Sequence, residues 1–118
     1  MFYIKHNSPN FSMIDCCMDE DYSEAIVNEL RRESATAEIT RFISTHPDDD
    51  HIRGLNYLNS QMSILNFYCV KNEATKEDET TDFQKYCELR DSEKKAFYLE
   101  KGCSRRWQTP SSTEALMQ

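Results

Sequence analysis

An α/β domain, a mixed sheet with flanking helices, is the fold class this sequence predicts, and three observations carry it. Short runs rich in β-branched and aromatic residues alternate with helix-periodic segments in the order strand, helix, strand, helix, strand. The length, 118 residues, allows one domain with a modest core. The densest group of chemistry-bearing side chains, Thr45 to Leu55, falls between a strand pattern and a helix pattern.

Phe2 to Lys5 forms a short strand candidate, and the turn-forming Asn7-Ser8-Pro9-Asn10 leads into Phe11-Ser12-Met13-Ile14, which predicts a hairpin. Asp15 ends the second strand, where an aspartate ordinarily serves turn chemistry. Asp19 to Ser23 opens a helix, with Asp21 and Glu24 spaced as a capping box. Its apolar stripe is Tyr22, Ile26, Val27 and Leu30, and Arg31 and Arg32 complement the C-terminal end of the dipole. The Arg pair has the chemistry to bind phosphate, although a solvated helix end accounts for it as well. From Glu38 to Ser44 a strand is expected, with Ile39, Arg41 and Ile43 on one face and Thr40, Phe42 and Ser44 on the other.

Ile52, Leu55, Leu58 and Met62 recur at spacings of three and four and predict one helix. Ser63 to Val70 is an apolar run of strand length. The acidic stretch from Asn72 to Asp82 reads as a loop, in which Asn72 is either a turn residue or a group facing the same edge as the His/Asp loop. Thr81 to Arg90 and Ser92 to Lys101 read as two short helices, with apolar patches at Phe83, Tyr86 and Cys87 and at Phe97 and Leu99, and Gly102 as a C-cap. Lys101 to Trp107 is the one basic, aromatic segment; its Arg105, Arg106 and Trp107 could pair with phosphate and stack a base, or simply pack. The domain is thus expected over residues 1–107, with a helical insert near 76–101, and a Ser/Thr/Pro-containing disordered tail over 108–118.

Bulk properties narrow the function classes. A net charge of -7 argues against a dedicated binder of the nucleic-acid backbone, which relies on clustered Lys and Arg. It leaves open a site that handles phosphate through metal ions. No apolar run approaches about 18 residues, so no membrane span is expected, and Lys5, His6 and Asn7 interrupt the short apolar N-terminus that a signal peptide would need. The five cysteines are odd in number, irregularly spaced and without a CxxC pair, which suits reduced thiols in a cytoplasmic protein.

In Thr45-His46-Pro47-Asp48-Asp49-Asp50-His51-Ile52-Arg53-Gly54-Leu55, five of eleven residues are His or Asp, and two of the chain's three histidines stand here. Imidazole and carboxylate together suit zinc and similar divalent ions. His46 and Asp48 are two apart and can point the same way in an extended loop, whereas the adjacent Asp50 and His51 should diverge toward different sides. The competing reading is a solvated acidic loop in which Asp50 caps the helix.

The stretch resembles the metal-binding signature of the metallo-β-lactamase superfamily, H-x-H-x-D-H with a glycine after two further residues; this chain reads H-P-D-D-D-H-I-R-G, with Asp48 in place of the second histidine. That variant, with its preceding Thr and following Pro, is similar to the hydrolase domain of competence-type (ComEC-like) DNA-uptake proteins and their soluble relatives. Phe11 to Cys16 also resembles the superfamily's early strand ending in an Asp before a small residue. The resemblance covers residues 1–72 best. It implies a partial metallo-β-lactamase fold, one half of an αβ/βα sandwich. It further implies a zinc site of one or two ions, with manganese or iron as alternatives, and hydrolysis of an ester or phosphodiester by metal-activated water, on a phosphodiester or nucleotide substrate. His46 and Asp48 would hold the first metal and Asp50 and His51 the second. Asp50 would also position the attacking water, and Asp15 would support the loop from beneath.

The superfamily's later ligands have no counterpart, because no histidine follows His51. Zinc ordinarily takes three or four protein ligands, so the chain is expected to be an N-terminal half that binds metal weakly or holds a single ion, completed by a missing C-terminal half or by a homodimer partner. Two other readings stand beside the hydrolase: a non-catalytic interaction protein that uses an exposed face of the half-fold, and a plain acidic α/β domain whose His/Asp loop is only a turn.

Overall fold

Phe2–Lys5 (β1) and Phe11–Ile14 (β2) pair antiparallel, Tyr3 opposite Met13 and Lys5 opposite Phe11, as the hairpin reading requires. The structure is a computed structural model that describes residues 1–6, 10–34, 36–70, 72, 74–76 and 80–99, with Phe2 described in its backbone only. After β2 come a two-residue strand, Cys16–Cys17 (β3), and the helix Glu20–Glu33 (α1). The chain then forms Arg41–Ser44 (β4), the single turn Asp49–Ile52 (α2), Leu55–Gln61 (α3) and Phe67–Val70 (β5), before Thr81–Arg90 (α4) and Ala96–Leu99 (β6). Five of the strands make one mixed sheet in the order β1-β2-β4-β5-β6. β2, β4, β5 and β6 run parallel, and only β1 is antiparallel. The α/β class with a mixed sheet therefore agrees with the sequence reading.

Each parallel step moves one place across the sheet in the same direction. Right-handed crossovers of that kind set the intervening helices on one face, where α1 meets α3 and α3 meets α4. The core lies between these helices and the sheet. Phe42 and Phe67 stack at 5.6 Å between centroids, Tyr86 meets Phe67 edge-on, and Val27, Leu30, Leu55, Leu58 and Phe83 close around them, all buried. Burying each such side chain contributes roughly 1.5–3 kcal/mol. The strand expected from Glu38 begins only at Arg41, and Ile39 is buried in an isolated bridge to Ile64; within β4 Phe42 and Ser44 are buried while Arg41 and Ile43 are half-buried, as the alternation requires. Among the described residues no helix is long and apolar enough to cross a membrane.

Several local expectations are corrected. The second C-terminal helix is in its described part a strand: Ala96–Leu99 pairs parallel with β5, Phe97 opposite Tyr68 and Leu99 opposite Val70. Phe97 and Tyr98 have strong strand preference, and Tyr68 and Phe97 stack at 4.9 Å. The region after residue 76 thus continues the β–α–β winding instead of forming a helical insert.

The helix expected from Ile52 to Met62 is two helices, broken at Arg53-Gly54, because β3 takes the chain there into a bridge. Cys16 pairs with Ile52 and Cys17 with Arg53, and the Arg53 carbonyl accepts from Met18 N at 2.9 Å. Gly54 at φ 88 makes the turn, and Met18 packs so close that a Cβ there would lie 2.9 Å from its Cε. The run from Ser63 is a strand only from Phe67, with Ile64 bridging Ile39 before it. The helix α1 begins one residue after Asp19, which makes no side-chain cap bond, so the Asp21–Glu24 capping box does not form; Tyr22 is 64% exposed and leaves the apolar stripe to Val27, Leu30 and the half-buried Ile26. Cys16, Cys17, Cys69 and Cys87 are free thiols. The Gly102 cap, the Lys101–Trp107 segment and the 108–118 tail lie outside the described residues.

Candidate functional site

β2 and β4 are parallel neighbours, so their carboxyl ends lie side by side and bring Asp15 next to Thr45 although thirty residues separate them. Asp15 continues the ladder by donating its N–H to the Ile43 carbonyl at 2.9 Å, then turns with φ 57. That left-handed backbone is one that Asp and Asn adopt more readily than most residues. The turn aims its buried carboxylate at the loop after β4. Thr45 donates to it twice, from its N–H at 2.8 Å and from its hydroxyl at 2.6 Å.

His51 makes the third contact. On α2 its Nδ1 stands 2.9 Å from Asp15 Oδ2, and the bond to this carboxylate, with the Asp15 charge behind it, holds the imidazole's pKa above its ordinary value; Asp50 and Asp48 add to the rise, while desolvation opposes it. With Nδ1 committed to Asp15, the ring's remaining nitrogen is Nε2. Asp50 Oδ1 lies 3.8 Å from that atom. The ring of His46 sits 5.1 Å from that of His51, its Nδ1 3.1 Å from the Thr45 hydroxyl.

The structure therefore gathers His46, His51, Asp50 and Asp15 at the carboxyl ends of β2 and β4, with Asp48 near enough for its charge to act on His51. Asp48 is exposed at the N-cap of α2, where its carbonyl accepts from His51 N and Ile52 N and its side chain makes no cap bond. Asp48 keeps an extended backbone, and α2 begins at the next residue. Asp50 and His51, expected to diverge, come within reach of one another because Nε2 is swung toward Asp50 by the anchor on Nδ1. The helix cap is Asp48 and not Asp50.

The donor types suit zinc, but among the described residues no group of three or more His, Cys, Asp or Glu side chains is placed to hold a metal ion. The contacts that are close are pairwise, His46 with His51 and His51 with Asp50.

Sequence reasoning missed how far Thr45 ties the site together; its hydroxyl touches Asp15, His46 and, at 3.4 Å, His51. It also missed a cleft beside His46, bordered by Pro47, Val70, Asn72, Ala74 and Tyr86, of about 310 Å³. Asn72 fulfils both roles that the sequence left open. It borders this cleft, and its Oδ1 accepts from Ala74 N in a two-residue turn. A larger hollow of about 520 Å³ lies between Met18, Arg53, Tyr57 and Asp82 on the far side of α2, where Arg53 is occupied by Asp19 and Asp49.

Compared with protein-family models, with characterised proteins and with solved structures, the chain matches none.

Proposed function

We propose that the loop after β4 is a divalent-cation site, zinc before manganese or iron, in the N-terminal half of a metal-dependent hydrolase of the metallo-β-lactamase type. The observation that carries this reading is the Asp15–His51 hydrogen bond. A carboxylate holding one imidazole nitrogen fixes the ring's orientation and raises the basicity of the other, which is how metal-binding histidines are commonly prepared. His51 Nε2 is the first donor, with His46 and Asp50 beside it. Asp48, exposed on the same loop, would complete the donor set that the resemblance implies. A bound ion would supply an activated water for ester or phosphodiester cleavage.

The present side chains fit such an ion in donor type and not in number, so no hydrolytic step is assigned to them alone. Completion by a second half or by another copy of the chain is part of the proposal. A non-catalytic half-fold that only binds partners is the alternative of a different class.

One further reading has its own support. Asp15 accepts two hydrogen bonds from Thr45 and pairs with His51, which is also what a purely structural junction requires. Elemental analysis of protein equilibrated with zinc and then desalted separates the two, with His46→Ala/His51→Ala as the comparison. Close to one zinc per chain, lost in the double variant, supports the cation site. No zinc in either protein leaves the junction.

A further inference from the structure

The helices cover the sheet face on which Met13, Phe42 and Phe67 stand side by side in register. Ile14, Ile43, Tyr68 and Phe97 are in register as well, one residue out of phase, and so form a row across β2, β4, β5 and β6 on the opposite face. Ile4, Val70 and Leu99 extend this row, and Arg41 is the one charged residue among the described side chains at these strand positions. A parallel sheet is ordinarily covered on both faces. Among the described residues, no helix lies on this one.

The face is nevertheless closed in part. Tyr68 is only 6% exposed, and Ile14, Ile43, Phe97 and Leu99 are half-buried, while Val70 at 57% stands outside the closed part. Ile43 and Phe97 flank the Tyr68 ring from within the sheet, Phe97 stacking beside it at 4.9 Å, and side neighbours do not roof a ring. This burial belongs to a single chain, so the roof is the chain's own.

One segment has the length and the side chains to supply it. Outside the described residues, every stretch before Leu99 is at most three residues long and holds no large apolar side chain. Residues 100–118 continue from Leu99, which lies on this face at the outermost strand β6. Trp107, the chain's one tryptophan, follows Leu99 by eight residues. At about 3.3 Å per extended residue that is a reach of roughly 26 Å, and strands stand about 4.8 Å apart, so every strand of the row is within reach. From Trp107 to Thr113 no residue is charged, which suits a face with a single cation.

We infer that the second face of the sheet is the docking surface for the chain's own C-terminal segment, with Trp107 as the anchor against Tyr68 and Phe97. A second half or another copy that packs on this face must displace the segment. The inference does not depend on the cation site. The tryptophan is its own reporter in the full chain. Its emission should lie at shorter wavelength than in the urea-unfolded chain, with acrylamide quenching weaker than in that chain, and neither should change with protein concentration. Nuclear Overhauser contacts should join the indole protons to the rings of Tyr68 or Phe97. Ile43→Asp, a charge in the middle of the row, should bring emission and quenching toward the unfolded values while the far-ultraviolet circular dichroism is kept. Tyr22→Asp, at a position 64% exposed on the helix layer, should leave both unchanged. Native emission and quenching equal to those of the unfolded chain would overturn the inference. Protection that appears only as concentration rises would also overturn it, by putting a second copy on the face. A protected indole without contacts to Tyr68 or Phe97 would place the anchor elsewhere and do the same; these contacts are read in the wild type, so they decide even where Ile43→Asp does not fold.

Discussion

Replacing Asp15 by Asn tests the hub of the site with the smallest change available. The substitution keeps volume and tolerates φ 57, so backbone strain does not enter. It keeps one carbonyl oxygen to accept the Thr45 N–H, but the second oxygen becomes an NH2 facing the Thr45 hydroxyl and His51 Nδ1, formerly at 2.6 and 2.9 Å. Hydrogen bonds to a charged group contribute about 1.5–3 kcal/mol each. Thr45 can turn its hydroxyl to accept instead of donate, so the bond to His51 is the one lost; that ring is a third exposed, so solvent screening holds the loss toward or below the lower end of this range, and it is felt while the imidazole is protonated. The second effect is on titration. His51's folded pKa is raised by Asp15, so the pair's stabilisation is fully present below the histidine's unfolded pKa near 6.5 and disappears as pH rises through the folded value. In Asp15→Asn the His51 pKa should fall, and the difference in stability between the two proteins should narrow from mildly acidic to alkaline pH. Urea unfolding at several pH values gives the stabilities, and the His51 ring protons give the pKa. An unchanged His51 pKa together with a stability within 0.5 kcal/mol (roughly the margin for a neutral surface change) would refute the hub.

Three further outcomes follow from the fold. Gly54→Ala should destabilise by about 1–3 kcal/mol in urea, since φ 88 is a glycine conformation and the new Cβ would lie 2.9 Å from Met18 Cε; an Ala variant as stable as the parent would mean the α2–α3 break is wrongly placed. Asp82→Ala should cost about 1–2 kcal/mol, because its carboxylate reaches from α4 to accept the Gly54 and Asn56 N–H groups at 2.9 Å each and acts as a cap for α3; hydrogen exchange at those two amides should rise with it. In native protein a thiol reagent followed by peptide mass mapping should label exposed Cys17 well before Cys16 and Cys69, whose thiols burial pushes up, Cys69 to about 11; early labelling of Cys16 would contradict its packing.

Periodicity located most of the elements and failed where two segments compete for one stretch of backbone. Leu55, Leu58 and Met62 do line one buried helix face, but nothing in their spacing reveals that Cys16 and Cys17 claim Ile52 and Arg53 as bridge partners from thirty-six residues away. The Ser92–Lys101 segment misled for a related reason. Glu93, Lys94 and Lys95 have good helix propensity, yet they form turns, and the Ala-Phe-Tyr-Leu sequence that follows has an open strand position beside β5. Sheet pairing overrides local preference when a neighbouring strand offers a full set of hydrogen bonds.

The side chains that cluster after β4 were legible in the sequence, and their arrangement was not. The composition of the loop singled out His46, Asp50 and His51, and the likeness of the Phe11–Cys16 strand singled out Asp15. What could not be read is that β2 and β4 are neighbours in parallel register, and that fact alone makes Asp15 a partner of His51. The geometry then gives Asp15 a definite consequence for binding. By raising His51's proton affinity it also makes any cation at Nε2 compete with a proton. Zinc retention should therefore weaken as pH falls through the raised His51 pKa, and in Asp15→Asn the same weakening should begin at a lower pH. A retention curve that does not move between the two proteins would mean that His51 is not the donor, whatever the metal content of the wild type.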